Sequence, residues 1–458
     1  MEACRSDSMF YGQEGKYMCG TIYQVLCFQN GFSFTAFLEA VRQLSDRHLI
    51  LRCVFREGFL TDNWVLQDNF KAENLFTECL LEINNEIKEE QFFEEAYKQF
   101  KELKQKHIDI SRQPPWRFFI TKNLSSNQFF VVIAFHHAVS DGIGWMELIQ
   151  QLSCYYQMLK DDSSCVLEEK SFLFERERVL VPKISDIYIH KMQEKVQERS
   201  TTIEHLKKIK CGMTLDKRSL YKIKYDDLSL EKIVVEEKRI FQLVDYFSIE
   251  KKISINDILV YANCLLNKEI LQNQAMFDTE IFGGFRVNNR KFMEEYNKKY
   301  LGNYSFLQYV ILNNTEILDK EKVFDAIKSS KDEMQYLDDL ISLNNVKDVP
   351  LPLFKLIMRM MLKKKGQELC KGVTTTNMGA IDYYLTGFGE ELYDAYIIPC
   401  GFSVGYPLIC ASSFNGRMSL LFIRYNDGEE ITKKIQNKFR FILYQFEKMI
   451  QHEKEDRR

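Results

Sequence analysis

The chain has 458 residues, of which 45% are hydrophobic and 28% charged, a composition that supports a sizeable buried core and excludes collagen-like and disordered proteins. Its 62 basic and 65 acidic residues give a net charge of −3. This near-balance argues against nucleic acid as the main partner, because a phosphate-binding surface normally shows as a basic excess. The length favours two or three domains.

No signal for secretion or membrane insertion is visible in the sequence. Residues 1–17 carry charges throughout, and no stretch of about 18 uncharged apolar residues occurs. The 12 cysteines contain no CxxC pair, and several lie inside apolar runs. We therefore expect buried free thiols, no zinc site and a cytoplasmic protein.

The first third of the chain alternates strand-like and helix-like segments. Runs of β-branched and aromatic residues predict strands, and apolar residues spaced three and four apart predict helices. The predicted strands are Thr21–Phe28, Leu51–Phe55, Trp64–Leu66, Trp116–Thr121 and Gln128–His137, and the predicted helices are Phe32–Leu49, Glu89–Lys106 and Gly144–Tyr156.

The pattern weakens between residues 160 and 235, where charges are dense, and it resumes in the second half. Ser254 and Asp257 resemble a capping box at the start of a helix that runs through the 265–271 region. The remaining predicted elements are the strands Glu280–Val287, Phe306–Asn313, Tyr396–Ile398, Pro407–Ser412 and Met418–Arg424, followed by the helix Glu429–Ile450.

Two of the seven histidines are adjacent and end a predicted buried strand. They open the sequence His-His-Ala-Val-Ser-Asp-Gly at residues 136–142, which leads into a predicted helix. Side chains alternate along a strand, so His136 and His137 should point to opposite faces. Imidazole suits proton abstraction near neutral pH, and a glycine leaves room for a substrate. The pattern favours a catalytic role at this strand-to-helix junction over the alternative, in which both histidines only end a strand and bond to neighbouring carbonyls.

This seven-residue sequence resembles the HHxxxDG signature of the chloramphenicol acetyltransferase-like superfamily, which includes condensation domains of nonribosomal peptide synthetases, BAHD acyltransferases and alcohol acetyltransferases. No BAHD-type DFGWG is present, and Thr376 replaces a usual serine. Weaker resemblances to that superfamily follow in the expected order along nearly the whole chain, at Arg47–Arg52, Pro114–Arg117, Ser254–Leu259, Arg286–Lys291, Tyr300–Asn303 and Thr375–Gly379.

The resemblance implies an α/β fold of two chloramphenicol-acetyltransferase-like subdomains, each a mixed sheet with covering helices, in a V-shaped pseudo-dimer. On this basis residues 1–160 form the N-terminal subdomain, residues 161–235 a connecting region and residues 236–458 the C-terminal subdomain. The active site is expected in a tunnel between the subdomains.

The resemblance also implies roles for individual residues. His137 would be the general base, and Asp141 would face away from the cleft and pair with an arginine of the other half, with Arg290 the first choice and Arg286 the second. His136 and Gly142 complete the predicted catalytic set, and no metal is expected. Further candidates for the acyl site or tunnel are Trp145, Asn303, Thr376 and Asn377.

The expected activity is acyl transfer from acyl-CoA to a hydroxyl or amine acceptor, as in a stand-alone O-acyltransferase of the alcohol acetyltransferase kind. One alternative is a condensation-type enzyme that takes its acyl group from a phosphopantetheinyl carrier protein, and another is a catalytically silent binding module. No bound cofactor is expected, because the thioester is a co-substrate. The expected partners are a small-molecule acceptor and, in the second case, an acyl or peptidyl carrier protein. A monomer is favoured, and membrane contact is not expected.

Overall fold

The computed structural model describes residues 1–29, 31–81, 89–103, 107–161, 223–248, 252–276, 279–292, 301–332, 349–427 and 430–456, with the single residues 190, 204, 209 and 213. Most of the predicted connecting region lies outside the described residues. The predicted boundaries of the two subdomains therefore stay predictions.

The described elements alternate between helices and strands through most of the chain. In chain order they are α1 (Arg5–Gln13), β1 (Met18–Cys19), β2 (Thr21–Phe28), α2 (Phe34–Arg47), β3 (Cys53–Arg56), β4 (Asn63–Leu66), β5 (Phe76–Leu81), α3 (Glu89–Glu102), β6 (Trp116–Asn123), β7 (Phe129–His136), α4 (Gly142–Asp161), β8 (Leu228–Glu236), α5 (Glu237–Phe247), α6 (Ile255–Gln272), β9 (Ile281–Asn288), β10 (Ser305–Leu312), α7 (Lys320–Asp332), α8 (Leu351–Leu369), β11 (Thr374–Ala380), α9 (Asp382–Leu385), β12 (Leu392–Ile398), β13 (Gly401–Phe402), β14 (Leu408–Phe414), β15 (Arg417–Tyr425) and α10 (Ile431–Asp456).

Five strands form the first sheet, in the order β12-β2-β7-β6-β5. β7 is buried along its whole length, as its nearly unbroken apolar sequence predicts, and it pairs antiparallel with both β2 and β6. The edge strand β12 comes from the second half of the chain and pairs antiparallel with β2. The predicted strand at 396–398 therefore belongs to the first sheet. The sequence does not predict this, because pairing between such distant parts of the chain leaves no mark in the local sequence.

Six strands form the second sheet, in the order β10-β9-β11-β14-β15-β8. β11 runs parallel to both β9 and β14, whereas the other pairs are antiparallel. Helix α6 begins with the predicted capping box, in which Ser254 accepts from the Asp257 N–H and Asp257 from the Ser254 N–H. Almost all of the edge strand β8 lies in the predicted connecting region. The sequence does not predict this strand, because its mixed burial weakens the alternation that marks a strand.

Two separate hydrophobic clusters cover the sheets and account for the two sheet-containing halves. The first surrounds β7 and includes Phe37, Trp116 and Trp145, and the second surrounds α6 and includes Phe285 and Phe439. The predicted α/β fold with two sheets is thus confirmed. Within the described residues, no helix is both long and apolar enough to span a membrane.

Candidate active site

The loop after β7 is fixed at its base by backbone hydrogen bonds. The His136 N–H donates to the Pro115 carbonyl at 2.8 Å, and the His137 N–H donates to the Gly20 carbonyl at 2.7 Å. At its far end, Asp141 caps α4 by accepting from the Gly144 N–H at 3.1 Å. Both ends of the seven-residue sequence are therefore held by the first half of the chain.

His137 is half-buried, and its ring lies against the ring of Phe10 in α1, with centroids 4.2 Å apart and 10° between the planes. Its Nδ1 has no hydrogen-bond partner among the described residues. Burial is the main cause that lowers the pKa of His137 to about 4. The imidazole is consequently neutral at pH 7, and a neutral imidazole is able to accept a proton.

His136 is fully buried on the other side of the strand end and forms part of a polar cluster. Its Nδ1 accepts from the Ala138 N–H at 3.1 Å, and its Nε2 lies 3.3 Å from Oε2 of Glu14. Glu14 also accepts from the Gly20 N–H at 2.6 Å and from the Tyr225 hydroxyl at 2.7 Å. These contacts give His136 a supporting position and leave only His137 accessible, in agreement with strand alternation.

Asp141 is buried and binds the second half of the chain through both carboxylate oxygens. Arg290 donates from Nη2 to Oδ1 at 2.8 Å and from Nη1 to Oδ2 at 2.9 Å. The Tyr304 N–H and the Ser305 hydroxyl each donate to Oδ2 at 2.9 Å. Burial raises the pKa of Asp141, but the charge of Arg290 and these hydrogen bonds outweigh it, so the pKa is lowered below its usual 3.8. The partner is Arg290, the first choice of the sequence analysis, and not Arg286.

The segment before β10 makes further contacts with the histidine loop. The amide Nδ2 of Asn303 donates to the His137 carbonyl at 2.9 Å, and Gly302 exchanges hydrogen bonds with the Ser140 hydroxyl at 3.2 Å. Gly302 has φ +149°, and a Cβ there would lie 2.9 Å from the Tyr304 ring. Asn303 thus holds the backbone of His137 in place, so that both halves of the chain position the imidazole.

Gly142 and Trp145 each have a close side-chain neighbour. A Cβ at Gly142 would lie 2.6 Å from Cε of Met378, so the Met378 side chain fills the space beside this glycine. Trp145 is buried and stacks on Phe135, with centroids 3.9 Å apart. Its ring supports the strand that carries the histidines, and its place in the acyl site or tunnel stays a prediction.

Thr376 and Asn377 lie on β11, the strand that also carries Met378. Thr376 is half-buried, and Oδ1 of Asn377 accepts from the Gly379 N–H at 2.9 Å, where φ is +72°. Asn377 therefore stabilises the irregular end of β11. The role of Thr376 in an acyl site stays a prediction.

Three residues close to the predicted site are missing from the sequence analysis: Phe10, Glu14 and Met378. Phe10 and Glu14 belong to α1 and the turn after it, and α1 buries the polar residues Asp7, Ser8 and Gln13. A helix with a polar buried face has no apolar stripe to reveal it. Met378 lies inside the segment Thr375–Gly379, which the resemblance had marked.

Taken together, the site presents one accessible neutral imidazole at the contact between the two halves. The ring has a buried Nδ1 without a hydrogen-bond partner among the described residues, an aromatic neighbour and a backbone held by Gly20 and Asn303. Such a group can take a proton from a hydroxyl, an amine or a thiol. The described residues contain no group of three or more His, Cys, Asp or Glu side chains arranged to hold a metal ion.

Comparisons with known proteins show what this chain is similar to. Residues 21–177 match the family model "Condensation domain". A plipastatin synthase subunit of Bacillus subtilis (strain 168) is 27% identical over 149 residues, which are 32% of this chain and 6% of that protein. The chain thus spans a small fraction of the length of the curated relative it matches.

Two solved structures share the fold across almost the whole chain. The trichothecene 15-O-acetyltransferase TRI3 of Fusarium sporotrichioides superposes with a TM-score of 0.66 at 12% identity and covers 97% of this chain and 95% of its own. A mutant starter condensation domain of the rhizomide synthetase RzmA, solved with C8-CoA and Leu-SNAC, has a TM-score of 0.60 at 12% identity, covering 98% and 94%. The chain therefore shares the fold of these acetyltransferase and condensation-domain structures, and residues 21–177 match the condensation-domain model.

Proposed function

We propose that this chain is an acyltransferase that moves an acyl group from acyl-CoA to a hydroxyl or amine acceptor, with His137 as the general base. The imidazole would take the proton of the acceptor while the acceptor attacks the thioester carbonyl, and CoA would leave as the thiol. His137, when protonated, would return its proton to the departing sulfur. No metal and no covalent enzyme intermediate is needed, because the chemistry depends on the position of two substrates.

The observation that carries the proposal is the position of His137 itself. It is the less buried member of the histidine pair, its buried Nδ1 has no hydrogen-bond partner among the described residues, and its lowered pKa keeps it neutral at pH 7. Both carboxylate oxygens of Asp141 are bound by Arg290 and by the Tyr304 and Ser305 donors, so the pair would hold the loop and would not meet the reacting groups. Asp141 and Gly142 would therefore act as positioning residues for the base, as would His136.

A second candidate donor is an acyl or aminoacyl group on a phosphopantetheinyl carrier protein. Two observations favour it: the family match is to a condensation domain, and the curated relative is a synthase subunit of which the match covers only 6%. The RzmA domain was solved with a CoA thioester, which favours the CoA donor. Both donors present the same thioester to His137, so the donor class needs a direct measurement.

The first experiment measures thiol release from a series of acyl-CoA thioesters, from acetyl to palmitoyl, with mixed alcohols and amines. Wild type and His137→Ala are compared, with Arg42→Met as a control at an exposed arginine of α2 that pairs with Glu39. Acceptor-dependent release that disappears only in His137→Ala supports the proposal. Release seen only with a holo carrier protein would support the second candidate. Release from neither donor would support a silent binding module.

A further inference from the structure

Glu14 follows α1 directly and lies at the turn that leads to β1. Gly15 has φ +71°, a backbone conformation that lets the chain reverse its direction there. The second half of the chain holds this turn, because the Ile223 N–H donates to the Gly15 carbonyl at 3.1 Å. Strand β1 pairs in addition with β13. These contacts fix the place from which the Glu14 side chain reaches the histidine pair.

Three donors surround the carboxylate of Glu14, whose side chain is only 13% exposed. The Gly20 N–H donates to Oε2 at 2.6 Å, and the Tyr225 hydroxyl donates to Oε1 at 2.7 Å. Burial is the main cause that raises the pKa of Tyr225, so this hydroxyl keeps the proton that it donates. The third donor is Nε2 of His136, which lies 3.3 Å from Oε2 and contacts it electrostatically rather than through an aligned hydrogen bond.

The other ring nitrogen of His136 shows where its proton lies. Nδ1 accepts from the Ala138 N–H at 3.1 Å, so the proton is on Nε2 and faces Glu14. In the opposite tautomer a proton on Nδ1 would meet the Ala138 donor, and the lone pair of Nε2 would face a carboxylate. Glu14 thus favours the tautomer in which His136 binds the Ala138 N–H.

Glu14 reaches the backbone on both sides of His137 by two short routes. On one side, Gly20 donates its N–H to Glu14 and accepts from the His137 N–H at 2.7 Å through its carbonyl. On the other side, His136 faces Glu14 and binds the N–H of Ala138. A Cβ at Gly20 would lie 3.0 Å from Oε2 of Glu14 and 3.1 Å from Cε1 of His136, so these three residues are closely packed.

We propose that Glu14 is a positioning residue for His137, acting through the Gly20 peptide and through His136. This role rests on the proposed function, in which His137 is the general base. A base that is displaced by about 1 Å loses up to about 100-fold in rate. Glu14→Gln is the sharpest variant, because it keeps the shape of the side chain. Its amide has a single acceptor oxygen and an NH2 group that would meet one of the donors around it.

The first test is spectroscopic and needs no turnover. The full chain is prepared with isotope-labelled histidines, and the ring signals of His137 are identified by their loss in His137→Ala. The stacked ring of Phe10 shifts these signals upfield in wild type. In Glu14→Gln they should move downfield, because the imidazole leaves its stacked position. Unchanged His137 signals in a folded Glu14→Gln chain would overturn the proposal.

Glu391→Gln is the matched control, because it removes the same charge from another mostly buried carboxylate. Glu391 pairs with Lys160, and its side chain is 29% exposed. It directly precedes β12, whose first residue pairs with one end of β2, whereas the histidine pair adjoins the other end. The His137 signals should stay at their wild-type positions in this variant. Equal displacements in Glu391→Gln and Glu14→Gln would contradict a specific role of Glu14.

The second test measures the kinetics of thiol release with a donor and an acceptor that the wild type uses. Glu14→Gln should lower kcat by about 10- to 100-fold and change KM by less than about twofold, because a misplaced base weakens the transition state and not substrate binding. Glu391→Gln should keep the wild-type kcat. A loss confined to KM, or a kcat in Glu14→Gln equal to that of the control, would overturn the proposal.

Rescue by imidazole separates positioning from a general disturbance of the fold. In His137→Ala, added imidazole is a base that the backbone does not hold. Adding Glu14→Gln to His137→Ala should therefore leave the rescued rate unchanged within about twofold, although the same substitution lowers kcat in the wild-type background. A rescued rate that falls by a further tenfold or so would mean that Glu14 acts elsewhere in the site, against the proposal.

These measurements distinguish a failure of this inference from a failure of the proposed function. If no donor yields thiol while the His137 signals move in Glu14→Gln and not in the control, the proposed reaction fails and the hold of Glu14 on His137 stands. If the wild type transfers acyl groups with His137 while Glu14→Gln keeps the full kcat, the role of Glu14 fails and the proposed function stands.

Discussion

The ring of Phe10 stacks on the ring of His137 with 4.2 Å between the centroids and 10° between the planes. An apolar ring on one face of the imidazole restricts its rotation and keeps water from that face. His137 has no hydrogen bond at Nδ1 among the described residues, so the stacking contact is a principal restraint on the ring orientation. The N-terminal helix α1 thus becomes part of the proposed active site.

Phe10→Ala should let the His137 ring move by about 1 Å, and a catalytic base displaced by that distance loses about 10- to 100-fold in rate. We therefore expect kcat to fall by this factor. Phe10→Tyr keeps the ring and should retain most of the activity. Tyr11→Ala is a control on the same helix, since the Tyr11 ring instead contacts the ring of Phe55 in a tilted arrangement, with centroids 4.4 Å apart. Equal losses in Phe10→Ala and Tyr11→Ala would indicate a general disturbance of α1 and contradict the specific role of Phe10.

Arg290→Met should lower the free energy of unfolding by about 3–5 kcal/mol, because it leaves the buried carboxylate of Asp141 without its cation. Arg112→Met is the control, because the Arg112 side chain is 85% exposed and pairs with Asp109. This substitution should lower the free energy of unfolding by less than about 1 kcal/mol. Urea unfolding measures both. Full stability in Arg290→Met with a loss of rate alone would mean that the pair acts in catalysis and not in holding the loop.

Two glycines at the start of α4 should respond differently to alanine. A Cβ at Gly144 would lie 2.0 Å from Oγ of Ser140 and 3.2 Å from Nη2 of Arg290. Gly144→Ala therefore disturbs the ion pair between Asp141 and Arg290, which joins the two halves of the chain. The Cβ at Gly142 meets only the flexible end of Met378. Gly144→Ala should lose about 1–3 kcal/mol of stability, as overpacking does, and Gly142→Ala should lose less.

The same comparison extends to activity. Gly142→Ala pushes the Met378 side chain away from its present place beside the histidine loop, and the double variant with Met378→Ala removes the conflict. We expect the second substitution to restore part of the thiol-release rate lost in Gly142→Ala. A rate that falls further in the double variant would mean that Met378 itself contributes to the site.

The stability of the chain should fall as pH falls from about 6.5 to about 4, in part because of His137. Its pKa is lowered to about 4 in the folded chain and is about 6.5 when unfolded, so the unfolded chain binds the additional proton over this range. Asp141 has a lowered pKa and adds stability that is lost only at still lower pH. Urea unfolding at pH 7, 6 and 5 should show a shallower pH dependence in His137→Ala, and an unchanged slope would contradict the buried neutral histidine.

The sequence predicts the strand, turn and helix around the histidine pair, because the information for them is local. Strand, turn and helix follow within a few residues, so the positions of His136, His137 and Asp141 can be inferred from the order alone. Arg290 could be proposed as the partner of Asp141 only through the family resemblance. Nothing in the spacing of the chain indicates that these two residues, 149 positions apart, are in contact.

What the sequence does not predict depends on distant pairing or on unusual burial. Strand β12 joins the first sheet from residue 392 onward, and no local pattern distinguishes it from the strands of the second sheet. Helix α1 buries Asp7, which accepts from Nε1 of Trp64 at 2.9 Å, so its inner face is polar. The stacking of Trp145 on Phe135 likewise depends on how the helix α4 packs on β7, which the sequence does not show.

The most direct test of the account is chemical rescue of His137→Ala. With the acyl-CoA donor and acceptor found by thiol release, the variant should keep the wild-type melting temperature within a few degrees and lose about 10²- to 10⁴-fold in kcat. Added imidazole should restore part of the rate in proportion to its free-base concentration. A wild-type rate in His137→Ala would contradict His137 as the general base. So would a lost rate that neither imidazole nor 2-methylimidazole nor another small base restores.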